Sequence, residues 1–91
     1  MINPYEGRCH MLKSWREPFE AVRSGKKTHE IRVNDRDYRR GDLLVLCCWD
    51  HERQIYAEDC WPVVCRVTHL DQGGNWGLPD GMVVMSVRVL R

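Results

Sequence analysis

The pattern of apolar and polar residues predicts a chain built mostly from short strands. Residues 43–49 are consecutive apolar residues, a run that is too short for a usual core helix and is typical of a strand buried on most of its surface. We therefore expect this segment to be the central strand. Stretches in which apolar and polar residues alternate predict further strands at 9–13, 30–34, 54–58, 63–70 and 82–90.

One helix is predicted between the first two strands. Ser14 and Glu17 have the spacing of a capping box, but Pro18 fits best at the first helical position, and we favour a helix over residues 18–24. Gly25 can adopt the left-handed conformation that ends a helix. The next strand therefore begins after a tight turn.

The predicted helix needs the sheet, because a helix this short is not stable alone. Phe19 and Val22 are three residues apart and share one face. We expect both side chains to pack on the sheet. That packing would fix the position of the turn after the helix.

These elements define the expected fold class as α+β and mainly β, a small closed barrel of five or six strands with one short helix near the N-terminus. A βαβ sheet would need helices between successive strands. The 91 residues form one predicted domain, 1–91, near the lower size limit for independent folding. Residues 1–8 have no periodicity, which is typical of a frayed lead-in.

The composition favours a cytoplasmic protein. No apolar run is long enough to cross a membrane, and the first residues lack the pattern of a signal peptide. Five cysteines are an odd number without a framework spacing, which favours reduced thiols. The cysteines and His51 in the second half lack zinc-site spacing, and adjacent Cys47 and Cys48 should point to opposite faces of a strand. We therefore predict no metal and no cofactor.

The charge distribution is more informative than the net charge of +1. Residues 23–40 contain seven basic and three acidic side chains, giving +4, whereas residues 41–91 contain four basic and seven acidic ones, giving −3. A local basic patch can attract phosphate without making the whole protein basic. A mixed, solvated surface explains the charges equally well.

The basic segment contains the sequence Gly-x-Lys-x-x-Glu-x-Arg, at Gly25, Lys27, Glu30 and Arg32. Alternation along a strand places Glu30 and Arg32 on one face, with Lys27 in the turn before them. The simplest interpretation is an ion-pair group. Arg32 has the planar fork that binds phosphate or a base edge, and Glu30 can accept from an exocyclic amine.

This motif resembles the signature of the ASCH domain of the PUA-like superfamily, and the resemblance is good over residues 9–49. It implies a PUA-like barrel with a cleft beside the helix, and a first strand that runs next to the signature strand. It also implies that Lys13 and His10 lie near the cleft. Arg36 follows the motif directly, and we include it among the expected ligand residues.

The resemblance implies binding of RNA or of a modified nucleoside. One ASCH branch is an amidohydrolase that acts on N4-acetylcytidine with a lysine and a threonine; Lys27 matches the lysine, and Glu30 stands where the threonine would be. We predict an RNA- or nucleotide-binding module. The alternatives are a small hydrolase or nuclease with Lys27 as base, and a protein-interaction domain in which the motif is structural. The sequence leaves open whether the chain is an enzyme and how it oligomerises.

Trp76 completes the set of predicted ligand residues. It lies in a predicted loop, 71–81, that is rich in glycine. Such an aromatic is either a lid that folds onto the barrel or a platform on which a base stacks. The predicted ligand residues are Lys13, Lys27, Glu30, Arg32, Arg36 and Trp76.

Overall fold

The computed structural model describes residues 7–90, so most of the predicted lead-in, residues 1–6, lies outside the described part. The predicted class is confirmed: within residues 7–90 the fold is mainly β, with six strands and one short helix near the N-terminus. The elements are β1 (Cys9–Trp15), α1 (Arg16–Arg23), β2 (His29–Val33), β3 (Leu43–Asp50), β4 (Ile55–Tyr56), β5 (Val63–Gln72) and β6 (Met82–Val89).

The strands form a curled half-barrel, not the closed barrel expected, in the order β1-β3-β5-β6-β2, with β4 paired to β3. β1 runs parallel to β3, and the other pairs are antiparallel. The predicted central strand, β3, is an interior strand that pairs with β1, β4 and β5, but β5 occupies the middle of the sheet order. The expectation that the first strand runs beside the signature strand is wrong, because β1 pairs with β3 and β2 pairs with β6. β1 and β2 lie at opposite ends of the sheet order, and the segment that connects them includes α1.

The helix packs against β1, β3 and β5. Phe19 and Val22 are fully buried, as their spacing predicts. They pack with residues from the strands, and the main members of this core are Leu12, Leu44, Leu46, Val63, Cys65, Val67, Val83 and Met85.

The helix begins earlier than predicted, at Arg16. The N-cap is Trp15, whose side chain makes no capping hydrogen bond. Both interpretations of the helix start are therefore wrong: Ser14 is not the N-cap, and Pro18 is not the first helical residue. Ser14 lies one residue before the N-cap, and its side chain is buried on the inner side of β1. Pro18 is the third helical residue, where its missing N–H costs nothing because the first-turn N–H groups have no partner within the helix.

The side of β2 that faces the core is unusual, because it carries a carboxylate while two β-branched apolar residues of the strand face solvent. Glu30 is buried, whereas Ile31 and Val33 are 52% and 60% exposed. Pairing with β6 explains this, because Glu30 lies opposite the buried Met85. Adjacent residues of a strand point to opposite faces, so the register that buries Met85 also turns Glu30 inward.

We expect Phe19→Ala to lower the free energy of unfolding by about 3–5 kcal/mol, because it leaves a cavity between the helix and the sheet. Trp76→Ala is a matched control, since this side chain is 88% exposed and its loss should change stability by no more than about 0.5 kcal/mol. Urea unfolding of both variants measures the difference. Equal losses would contradict the packing role of Phe19.

Candidate functional site

The turn after the helix sets the position of Lys27. Gly25 has a φ of +82°, the left-handed conformation predicted for it, and its N–H donates to the carbonyl of Val22 at 3.0 Å. The backbone N–H of Lys27 donates to the carbonyl of Ala21 at 2.9 Å. These bonds anchor the turn to the last turn of α1, whose Val22 lies in the core.

Lys27, Glu30 and Arg32 form one ion-pair group, which we call the signature cluster. Lys27 Nζ lies 3.4 Å from Glu30 Oε1, and Arg32 Nε donates to Glu30 Oε2 at 3.0 Å. Only 3% of the Glu30 side chain is exposed, compared with 25% for Lys27 and 23% for Arg32. A buried carboxylate therefore has both oxygens paired, and the two cations extend from it toward solvent.

The cluster leaves several hydrogen-bond donors free. Arg32 uses Nε for Glu30, and its two terminal NH₂ groups make no hydrogen bond to another residue in the range 7–90. Lys27 has three donor hydrogens and one partner in that range, Glu30. Two cations held by one carboxylate and still able to donate are suited to an anion or to a ring carbonyl oxygen.

Arg36 and Tyr38 lie beside the cluster. Arg36 Nη1 donates to the carbonyl of Met11 at 3.2 Å, which ties the β2–β3 connection to β1. Tyr38 is 2% exposed. Burial raises the pKa of Tyr38, and the charges of Arg36 and Arg32 act against that rise. The phenol is therefore within electrostatic range of both guanidinium groups.

Sequence reasoning missed a buried pair, His10 and Asp42. His10 Nε2 lies 2.8 Å from Asp42 Oδ2, and both residues are buried. The His10 ring packs edge-on against Tyr38, with centroids 4.8 Å apart. Asp42 also accepts from the backbone N–H groups of Arg8 and Arg39, at 3.0 Å each. The pair is far apart in the sequence, so local spacing gave no signal for it.

The structure separates two predicted residues from the cluster. Lys13 belongs to the exposed side of β1, and its Nζ lies 4.0 Å from the centre of the Trp49 ring. Trp76 is 88% exposed and lines a cavity with Val84. Val84 lies opposite Ile31 on the outer face of β2 and β6. Of the predicted ligand residues, Lys27, Glu30 and Arg32 therefore contact one another, Arg36 bonds to the Met11 carbonyl, and Lys13 and Trp76 lie elsewhere.

The cysteines are free thiols, and in the described part of the chain no three His, Cys, Asp or Glu side chains are placed to hold a metal ion. Burial raises the pKa of Cys48 and of Cys65 to about 11 each. The charge of Glu30 also acts on Cys65, which places the carboxylate near the core. Both thiols stay protonated near neutral pH and are poor nucleophiles.

The fold and the cluster define a small, mainly β domain with a buried carboxylate at the turn between its helix and its second strand. The family described as "Domain of unknown function (DUF3850)" matches residues 9–87. The chain belongs to this family. No helix within residues 7–90 is long and apolar enough to cross a membrane.

One curated relative comes from Escherichia phage P2. It is described as "Uncharacterized 12.9 kDa protein in GpA 3'region", and it is 43% identical over 42 residues. The match spans 46% of this chain and 38% of the relative. The chain therefore matches less than half of that phage protein.

Replacing Glu30 with glutamine should destabilise the fold, because Lys27 and Arg32 lose the charge that pairs them. We expect Glu30→Gln to lower the free energy of unfolding by about 1–3 kcal/mol, less than for a fully buried pair because both cations reach solvent. Glu20→Gln is the matched control: Glu20 pairs with Arg23 on the helix surface, and its change should stay within about 0.5 kcal/mol. Equal effects in urea unfolding would contradict the buried role of Glu30.

Protonation of Asp42 should make the free energy of unfolding depend on pH in the acid range. Burial alone would raise the pKa of Asp42, but hydrogen bonds from His10 and from the N–H groups of Arg8 and Arg39 lower it below its ordinary value of 3.8. The ionised form therefore stabilises the fold above about pH 4, and this contribution is lost as the pH falls through the lower folded pKa.

We expect Asp42→Asn to be less stable than the wild type near neutral pH and to lose less stability below about pH 4, since asparagine takes up no proton there. Urea unfolding at about pH 7, 4 and 3 measures both effects. If the two chains lost the same stability in acid, Asp42 would not be the group responsible.

Proposed function

We propose that the chain is an ASCH-type domain of the PUA-like superfamily that binds RNA or a nucleotide at the signature cluster. The observation that supports this most strongly is the buried carboxylate of Glu30. It holds Lys27 and Arg32 in fixed positions while leaving their other donors free. Binding then requires little ordering of side chains, which lowers its entropic cost.

Each cluster residue has a defined part in this proposal. Arg32 binds a phosphate or a base edge with its terminal NH₂ groups, and Lys27 and Arg36 add positive charge. Glu30 positions the two cations beside it. The local excess of positive charge in residues 23–40 supports an anionic ligand. The proposed location is the cytoplasm, where RNA is present.

The dependence of RNA affinity on salt concentration tests the electrostatic part of the proposal. With about three phosphate contacts to a single strand, the logarithm of affinity should fall with the logarithm of salt concentration with a slope of about −2. Fluorescence polarisation with labelled single-stranded and structured RNAs measures this slope. Absence of binding across that panel at low salt would remove the proposal.

Arg32→Ala should weaken RNA binding by about tenfold and reduce the magnitude of the salt slope by about 0.7, the value expected for one phosphate contact. Arg32→Lys should recover part of the slope but less of the affinity, because lysine lacks the planar fork. Arg53→Ala is the matched control: this arginine is exposed, pairs with Asp50 and is outside the cluster. A loss of affinity equal to that of Arg32→Ala would mean that the binding is non-specific.

The hydrolase alternative has its own test. A general base needs an amine that is free to reach a proton of the substrate, whereas Lys27 Nζ is held 3.4 Å from Glu30 Oε1. Incubation with N4-acetylcytidine should therefore release no cytidine. Release that Lys27→Ala abolishes would replace the binding module with an enzyme.

A further inference from the structure

A second surface, separate from the signature cluster, is rich in exposed aromatic side chains. It lies on the solvent side of β1, β3 and β4 and includes the segment just after β4. Trp61 is 88% exposed, Met11 65%, Trp15 56% and Tyr56 52%. We call this surface the aromatic face; its residues are Met11, Lys13, Trp15, Trp49, Tyr56 and Trp61.

Several rings of the aromatic face are held by contacts within the chain. Trp49 packs edge-on against Tyr56, with centroids 4.9 Å apart, and Lys13 Nζ sits over the Trp49 ring. Trp15 stacks on His51 with centroids 3.9 Å apart. Rings already fixed in place lose little conformational freedom on binding, so they are efficient anchors for a partner.

The aromatic face contains a cavity of about 550 Å³. Met11, Tyr56, Trp61 and Pro62 are among the apolar residues that line it. This volume is in the range of sites that bind a small molecule or a large side chain. An apolar cavity beside exposed aromatic rings is a common arrangement for a binding hot spot.

The border of the aromatic face is acidic. Arg16 pairs with Asp59 at 2.7 Å, and Arg53 with Asp50 at 3.8 Å. Three further carboxylates at this border, those of Glu17, Glu52 and Glu58, have no ion-pair partner among residues 7–90. The acidic residues along the cavities of this surface are Glu17, Asp50, Glu52, Glu58 and Asp59. The cations along it are Lys13, Arg16 and Arg53, which leaves a net charge of −2.

We propose that the aromatic face binds a protein partner through a segment that has an apolar anchor residue between lysines or arginines. The anchor enters the cavity beside Trp61 and Tyr56, and the basic residues meet the unpaired carboxylates, of which Glu58 lines the cavity itself. The same carboxylates repel a phosphate backbone, so the charge favours a basic protein segment over RNA on this surface. This proposal is independent of the function proposed for the signature cluster.

Labelled synthetic peptides test the proposal directly. The panel places Leu, Ile, Met, Phe or Trp between lysines, and fluorescence polarisation measures binding to the full chain. Trp61→Ala should weaken the tightest peptide by about tenfold, as for a hot-spot residue. Trp76→Ala is the matched control because it is equally exposed, at 88%, and lies on a different surface; it should leave the affinity unchanged.

A second set of measurements tests the role of charge in peptide binding. Glu58→Lys should weaken the same peptide, and replacing the peptide lysines with glutamate should abolish binding. Higher salt should reduce the affinity of the wild-type chain, since the proposed contacts are at the surface. Thermal melting of each variant checks that it is folded, which is expected because the substituted side chains are exposed.

Three outcomes would overturn the proposal. The first is that no peptide of the panel binds in a Trp61-dependent way. The second is self-association of the chain in sedimentation equilibrium that Trp61→Ala abolishes, which would assign the surface to a second copy. The third is loss of RNA binding in Trp61→Ala, which would assign the surface to nucleic acid.

Discussion

The burial of the Glu30 carboxylate is the constraint on which the site depends. A carboxylate that is 3% exposed needs partners for both oxygens, because an unpaired buried charge is strongly destabilising. Arg32 supplies one partner from the same strand, and Lys27 supplies the other from the turn. That turn is bonded to the end of the helix. The core packing of Phe19 and Val22 therefore also helps to position Lys27.

The same constraint explains the exposed apolar side of β2. The register with β6 places Glu30 opposite Met85, and a slip of one residue would exchange every side chain between the two faces. Such a slip of β2 would turn Ile31 inward and Glu30 outward. The observed register keeps the core side of β6 buried and accepts a carboxylate inside, where its two ion pairs satisfy it.

The charged groups of the molecule are segregated. The signature cluster lies in the segment with a net charge of +4, whereas the border of the aromatic face has a net charge of −2. The two proposals together describe an adaptor that binds an anionic ligand on one surface and a basic protein segment on another. The opposite charges would keep each ligand off the other's surface.

The sequence by itself determined the strands, the helix and the signature cluster, because each depends on residues close together in the chain. Alternation and the apolar run 43–49 located the strands, and the cluster spans only residues 27–32. Strand order, the start of the helix and the pairing of His10 with Asp42 needed the tertiary structure, as did the placement of Lys13 and Trp76. Each of these depends on which distant strand is paired, and no local pattern encodes that choice.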